Sequence, residues 1–126
     1  MYQVRVEEEF SAAHFLFHYR GKCERLHGHN YKVRLWAKGE DLDEGGMLAD
    51  FSVLKKVLKN ILSALDHSNL NDMEVFRNDP SAERIAEYVF NEAAKKLPEF
   101  GVDGSLLWAV DVYENARSMA RYRNGG

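Results

Sequence analysis

The sequence predicts an α+β fold, because period-two strand patterns at both ends of the chain enclose two segments of helical period, in the order β-β-α-α-β-β. Tyr2, Val4 and Val6 alternate with Gln3, Arg5 and Glu7, which predicts the first strand. Tyr31, Val33, Leu35 and Ala37 alternate, more loosely, with Lys32, Arg34 and Trp36 and predict the second. The period then changes. Leu54, Leu58, Ile61 and Leu65 recur at helical spacing behind Asp50 or Ser52, either of which can cap, so a first helix is expected over about 52–65. Asn78-Asp79-Pro80-Ser81 reads as a turn ending in a good N-cap. The stripe Ile85, Ala86, Val89, Phe90, Ala93, Leu97 follows it, predicting a second helix over about 81–97 that stops at Pro98. Beyond Gly101 and Gly104, Trp108, Val110 and Val112 fall on one strand face and Asp111 and Tyr113 on the other, and a last strand ends near Arg123.

Strands flanking a helix pair place both helices on one face of a four-stranded antiparallel sheet. That arrangement leaves the second face and both edges of the sheet uncovered. The chain is therefore expected to form a homo-oligomer, with sheets joining edge to edge and closing a β-barrel. A length of 126 residues fits one domain spanning 1–126, and no repeat or linker divides it. With 17 basic against 20 acidic side chains and a net charge of −3, nothing global suggests a nucleic acid or an anionic membrane as partner. A single cysteine fits a reducing compartment. The N-terminus lacks the apolar core of a signal peptide and no apolar run approaches the ~18 residues of a membrane helix, so a cytoplasmic location is expected.

The reactive side chains gather in two irregular stretches, 15–29 and 66–80. Cys23-Glu24-Arg25-Leu26-His27-Gly28-His29 sets a thiol and two imidazoles close together. Residues two apart on an extended chain share a face and rise ~6.6 Å together, so His27 and His29 can grip one metal ion from one side. Cys23 lies ~13 Å from His27 on a straight strand, which places it beside such an ion rather than on it. His14, at the end of Phe10-Ser11-Ala12-Ala13-His14, is a candidate third ligand, and three histidines with an open fourth position suit a catalytic zinc. A surface or hydrogen-bonded histidine at a strand end competes with that reading. Asp66-His67 pairs a carboxylate with an imidazole and, together with Cys23, forms a candidate Cys-His-Asp unit. A local turn and a histidine complementing a helix dipole are the simpler account of the same two residues. Glu114 falls on the apolar face of its strand, where a carboxylate is usually functional or paired, here with Arg117 or Arg121. Arg20, Lys22 and Arg25 could meet phosphates or form a solvated basic loop.

Five ordered segments together resemble the 6-pyruvoyl-tetrahydropterin synthase and 6-carboxytetrahydropterin synthase family. Phe10-Ser11-Ala12-Ala13-His14 is similar to its first ligand motif and Cys23 through His29 to its C-x-x-x-H-G-H. Leu65-Asp66-His67 with Leu70-Asn71-Asp72 resembles its L-D-H-x-x-L-N-D, Asn78 through Glu83 its N-P-T-x-E with Ser81 for Thr, and Val112-Tyr113-Glu114 its V-x-E. The resemblance implies the tunnelling fold, a hexamer with active sites between subunits, and zinc on His14, His27 and His29. It also implies a 7,8-dihydroneopterin triphosphate substrate, Cys23 as the proton-transferring base, Asp66 and His67 as its relay, and Glu114 as the anchor of the pterin edge. The short chain and the motif spacing lean toward the 6-carboxy branch, which releases acetaldehyde and triphosphate and feeds queuosine-type biosynthesis. The 6-pyruvoyl branch, which eliminates triphosphate and rearranges, is the alternative, and a non-enzymatic structural zinc module is a third reading. Glu24 departs from the small residue often found beside the cysteine in the 6-carboxy branch, and relatives that carry Glu in place of the cysteine form 6-hydroxymethyl-dihydropterin.

Overall fold

The computed structural model describes residues 1–14 and 26–125, and places the first strand, β1, over Tyr2–His14 and the second, β2, over His27–Gly39. They pair antiparallel, from Tyr2 opposite Gly39 to His14 opposite His27. Alternation decides which side chains turn inward. Val6, Phe10, Ala12 and His14 on β1 and Tyr31, Val33, Leu35 and Ala37 on β2 are buried, while Tyr2, at the start of β1, is 48% exposed and Val4 only partly buried.

The first helix, α1, spans Phe51–Leu62, and its cap is Asp50, whose carboxylate accepts the Ser52 N–H at 2.8 Å. It ends three residues before the periodicity does. Leu65 is still buried, but the chain has left the helix because Asp66 and the His67 N–H both bind the Ser11 backbone of β1. A two-residue strand, β3 (Ser68–Asn69), then runs parallel to β1 at Ala12 and Ala13. The sheet is consequently mixed and five-stranded rather than four-stranded and purely antiparallel. Two residues are too few to show a period in the sequence.

The second helix, α2, covers Ala82–Glu99, and Ser81 caps it by accepting the Arg84 N–H at 3.2 Å. Pro98 lies inside the last turn instead of ending the helix. There it forgoes one N–H bond. The stop comes from Gly101, which adopts a left-handed φ of 82°. Its N–H returns to the Pro98 carbonyl at 3.1 Å and that of Val102 to the Leu97 carbonyl at 2.9 Å, a Schellman cap. A side chain here would meet open space, so its cost is conformational only. Gly101→Ala is therefore expected to lower stability by about 1–2 kcal/mol, read as a shifted urea midpoint at unchanged slope.

The last two strands are β4 (Leu107–Asn115) and β5 (Ser118–Arg123), and the sheet order is β3-β1-β2-β4-β5. Both helices pack on the face that holds Val33, Leu35, Val110 and Val112. Trp108 does not join Val110 and Val112 there, contrary to strict alternation. A bulge opposite Trp36 and Ala37 inserts one extra residue, so Leu107 is the buried one and Trp108 crosses to the outer face. Trp108 meets Trp36 edge-on, with ring centroids 5.9 Å apart. On the same outer face Asp111 is only 1% exposed, accepting from Arg121 at 2.6 and 3.0 Å and from Trp36 Nε1 at 2.8 Å. A buried carboxylate is tolerated when its oxygens are satisfied in this way. Among the described residues no helix is long and apolar enough to cross a membrane.

Candidate metal centre and active site

Three strands deliver three donors to one point. His14 ends β1, His29 lies near the start of β2 and Glu114 near the end of β4, and their ligand atoms all lie within 4.8 Å of one another. The pairing register explains the meeting: His29 lies opposite Ala12, diagonally across from His14, so the two imidazoles share the core face. Their rings meet edge-on at 4.9 Å. Glu114 follows Val110 and Val112 on that face, and the β4–β5 register shifts between Tyr113 and Asn115, a bulge that falls on the carboxylate itself.

His14 is 2% exposed and held from behind. Its Nδ1 lies 2.9 Å from the Pro80 carbonyl and 2.9 Å from the Tyr31 hydroxyl. A carbonyl oxygen can only accept, so the neutral ring carries its proton on Nδ1 and turns the Nε2 lone pair toward Glu114 and His29. Glu114 Oε1 stands 3.1 Å from that nitrogen and 2.9 Å from His29 Nε2. A carboxylate and two imidazole nitrogens converging in a largely buried pocket repel unless a cation or a proton lies between them. The two imidazole nitrogens suit zinc, and the carboxylate oxygen beside them can serve either as a further donor or as a hydrogen-bond acceptor.

Glu114 thus faces the histidines. Arg121, one of its two proposed ion-pair partners, is engaged by Asp111 on the opposite face of the sheet. Cys23, Arg20, Lys22, Arg25 and Glu24 lie outside the described residues, as does the side chain of His27. The backbone of His27 is directly opposite His14.

Asp66 and His67 sit on the turn after α1 rather than at its C-terminus, so the helix-dipole account of His67 does not hold. Asp66 Oδ1 accepts the Ser11 N–H at 2.9 Å, its Oδ2 lies 3.0 Å from His67 Nδ1, and the His67 N–H binds the Ser11 carbonyl. The Ser11 N–H, foremost, holds the Asp66 carboxyl below its usual value of 3.8. Asp66 is therefore ionised at neutral pH and accepts from the His67 ring. The sign follows: this contact is intact above about 3.8 and is lost as acid protonates Asp66 at its lower folded value. His67 has φ 57°, a left-handed conformation uncommon outside glycine, and is exposed. With His29, Asn30, Ser11 and Ser68 it lines an open cleft of about 400 Å³. The small residues of Ser11-Ala12-Ala13 admit β3, whose backbone brings His67 into this cleft.

Tyr31, Pro80 and Asn30 were not among the sequence candidates. Tyr31 is disguised by its alternation as an ordinary core residue, and Pro80 contributes through its backbone, which carries no side-chain signal.

The family model for 6-pyruvoyl tetrahydropterin synthase matches residues 3–125. A 6-carboxy-5,6,7,8-tetrahydropterin synthase of Synechocystis is 42% identical, covering 97% of this chain and 93% of the relative. One from Bacillus subtilis is 36% identical over 97% of this chain and 85% of its own length. The solved structure of Caenorhabditis elegans 6-pyruvoyl tetrahydropterin synthase superposes with a TM-score of 0.84 at 29% identity, covering 98% of this chain and 96% of that one. The matched fold, the nearly full-length family match and the identity to these relatives together establish that the chain belongs to the 6-pyruvoyl tetrahydropterin synthase family.

Proposed function

We propose that this protein is a zinc-dependent lyase that converts 7,8-dihydroneopterin triphosphate to 6-carboxy-5,6,7,8-tetrahydropterin, with release of acetaldehyde and triphosphate. The observation that carries the reading is the convergence of His14 Nε2 and His29 Nε2 beside the Glu114 carboxylate, with the His14 tautomer fixed by Pro80. The names of the relatives at 42% and 36% identity favour the 6-carboxy product over the 6-pyruvoyl one.

His14 and His29, with His27 as the third imidazole, would hold zinc, which when bound acts as a Lewis acid that lowers the pKa of the substrate side-chain hydroxyls. The remaining steps belong to the chain. Cys23 takes and returns the proton at the substrate side chain, and Asp66, ionised and fixed by Ser11, orients His67 to pass that proton on. Glu114 accepts paired hydrogen bonds from the amino and ring N–H groups of the pterin, a planar edge suited to a carboxylate. Glu114 also lies within reach of both imidazoles, so Glu114→Gln separates its two possible roles. Zinc retained with a raised KM is expected, and a loss of bound zinc in elemental assay would make it a ligand instead.

Open sheet edges support assembly. Among the described residues β3 pairs with β1 only at Ala12 and Ala13 and the turn before it binds Ser11, leaving residues 2–10 of β1 and the outer edge of β5 for neighbouring copies. The reading includes a homohexamer whose sheets close barrels and whose sites lie between subunits.

Incubating zinc-loaded protein with 7,8-dihydroneopterin triphosphate and identifying the product by mass tests the function. Formation of 6-carboxytetrahydropterin is expected. A 6-pyruvoyl product would assign the sister reaction, and no turnover would overturn both.

A further inference from the structure

We infer that Tyr31 is a positioning residue of the metal centre, its hydroxyl acting with the Pro80 carbonyl to aim the His14 ring at the ion. The inference rests on the reading of His14 and His29 as ligands. Tyr31 lies two residues beyond His29 on the same face of β2 and has no solvent exposure. Its ring is stacked on Phe10, 4.8 Å between centroids and 11° between planes, which prevents it from swinging. It then stands edge-on to His14, at 5.7 Å and 89°, and inclined to His29, at 5.5 Å and 61°. One side chain thus touches both imidazoles.

Its oxygen addresses His14 Nδ1, the nitrogen that points away from the other donors. In metal sites the hydrogen bond at the remote nitrogen sets the tautomer and the ring plane of a histidine ligand. Here that nitrogen is approached from the sheet by Tyr31 and from the loop before α2 by Pro80. The loop is itself braced. Arg77 and Asn78 both take left-handed φ, Asn71 Nδ2 donates to the Asn78 carbonyl at 3.1 Å, and Arg84 donates to the Phe76 carbonyl at 2.7 Å. Packing alone does not call for the hydroxyl. Phenylalanine would fill the same space without a polar atom to satisfy, whereas a tyrosine oxygen at zero exposure must find a partner.

Tyr31→Phe keeps the ring and its stack and removes one oxygen. Wild-type chain titrated with zinc against a chromophoric chelator is expected to bind, and Tyr31→Phe to bind roughly tenfold to a hundredfold more weakly. At saturating Co²⁺ the visible absorption of the variant is expected to shift, a change that loss of packing elsewhere would not produce. A wild type that binds no zinc overturns the ligand reading beneath the inference. A wild type that binds, with Tyr31→Phe binding equally tightly and an unchanged cobalt spectrum, overturns the positioning role and leaves the ligands as assigned. Should the variant fail to fold, NMR of zinc-loaded wild type decides: a protected His14 Nδ1–H with a cross-peak to Tyr31 is expected, and its absence overturns the inference.

Discussion

His14→Ala is expected to yield protein without bound zinc and without measurable turnover of the pterin triphosphate. The residue supplies one of the converging nitrogens, and its removal takes away a donor that no nearby group can replace from β1. Lewis-acid assistance takes several kcal/mol off the barrier, so at about 1.4 kcal/mol per decade its loss costs on the order of a thousandfold or more in kcat. A second effect arrives through the fold. The ring is 2% exposed, and without it the Pro80 carbonyl and the Tyr31 hydroxyl both lose the partner at Nδ1. Removing hydrogen bonds inside the fold costs about 1–3 kcal/mol, so the unfolding midpoint is expected to fall as well. Elemental analysis, single-turnover kinetics and denaturant titration read the three consequences separately. A full complement of zinc in His14→Ala would remove His14 from the ligand set.

Cys23→Ala is expected to do the opposite to the metal: zinc stays and turnover disappears. The thiol acts in this reading as the base for the substrate side chain, and removing a positioned general base costs roughly a hundredfold to ten-thousandfold. On a straight strand it lies ~13 Å from His27, beyond the reach of a shared ion. A structural zinc module makes the contrary demand, since there Cys23 would close a tetrahedral site with the histidines and its loss would release zinc and lower stability. Zinc content and kcat measured on one preparation therefore distinguish the enzyme from the module. Loss of zinc in Cys23→Ala, with unfolding at a lower denaturant concentration, would sink the division of labour proposed for the Cys23-to-His29 segment.

Particular elements show why the architecture was largely legible and where legibility stopped. Tyr31, Val33, Leu35 and Ala37 alternate over a full strand, and every one of them is buried. Asp50 and Ser81 cap the two helices because a short oxygen-bearing side chain at that position accepts an otherwise unpaired N–H. Each of these signals depends on neighbours within one or two turns of chain. The misreadings share a different origin. Strict alternation sets Trp108 on the inner face, but a bulge is defined by the partner strand, two residues against one, and leaves no period of its own. Pro98 reads in the sequence as a terminator, but a proline in the last turn forgoes only one bond, and the left-handed Gly101 ends the helix. β3 and the early end of α1 follow from what Ser11 offers across the sheet.

By itself the sequence determined the order of the four longer strands and two helices, the buried face of β2, the helix caps and a short set of donor side chains, because each is set by local periodicity or side-chain chemistry. Only the tertiary structure decided which donors meet. Glu114 is a hundred residues from His14 along the chain, and its oxygen comes within 3.1 Å of the ring through strand order, register and a bulge. The same holds for Tyr31 and Pro80, which reach the far nitrogen of His14 from different elements. A metal centre of this kind is a property of strand registry. Registry is settled by the whole core packing at once, since a slip of one residue would turn every one of these side chains to the other face.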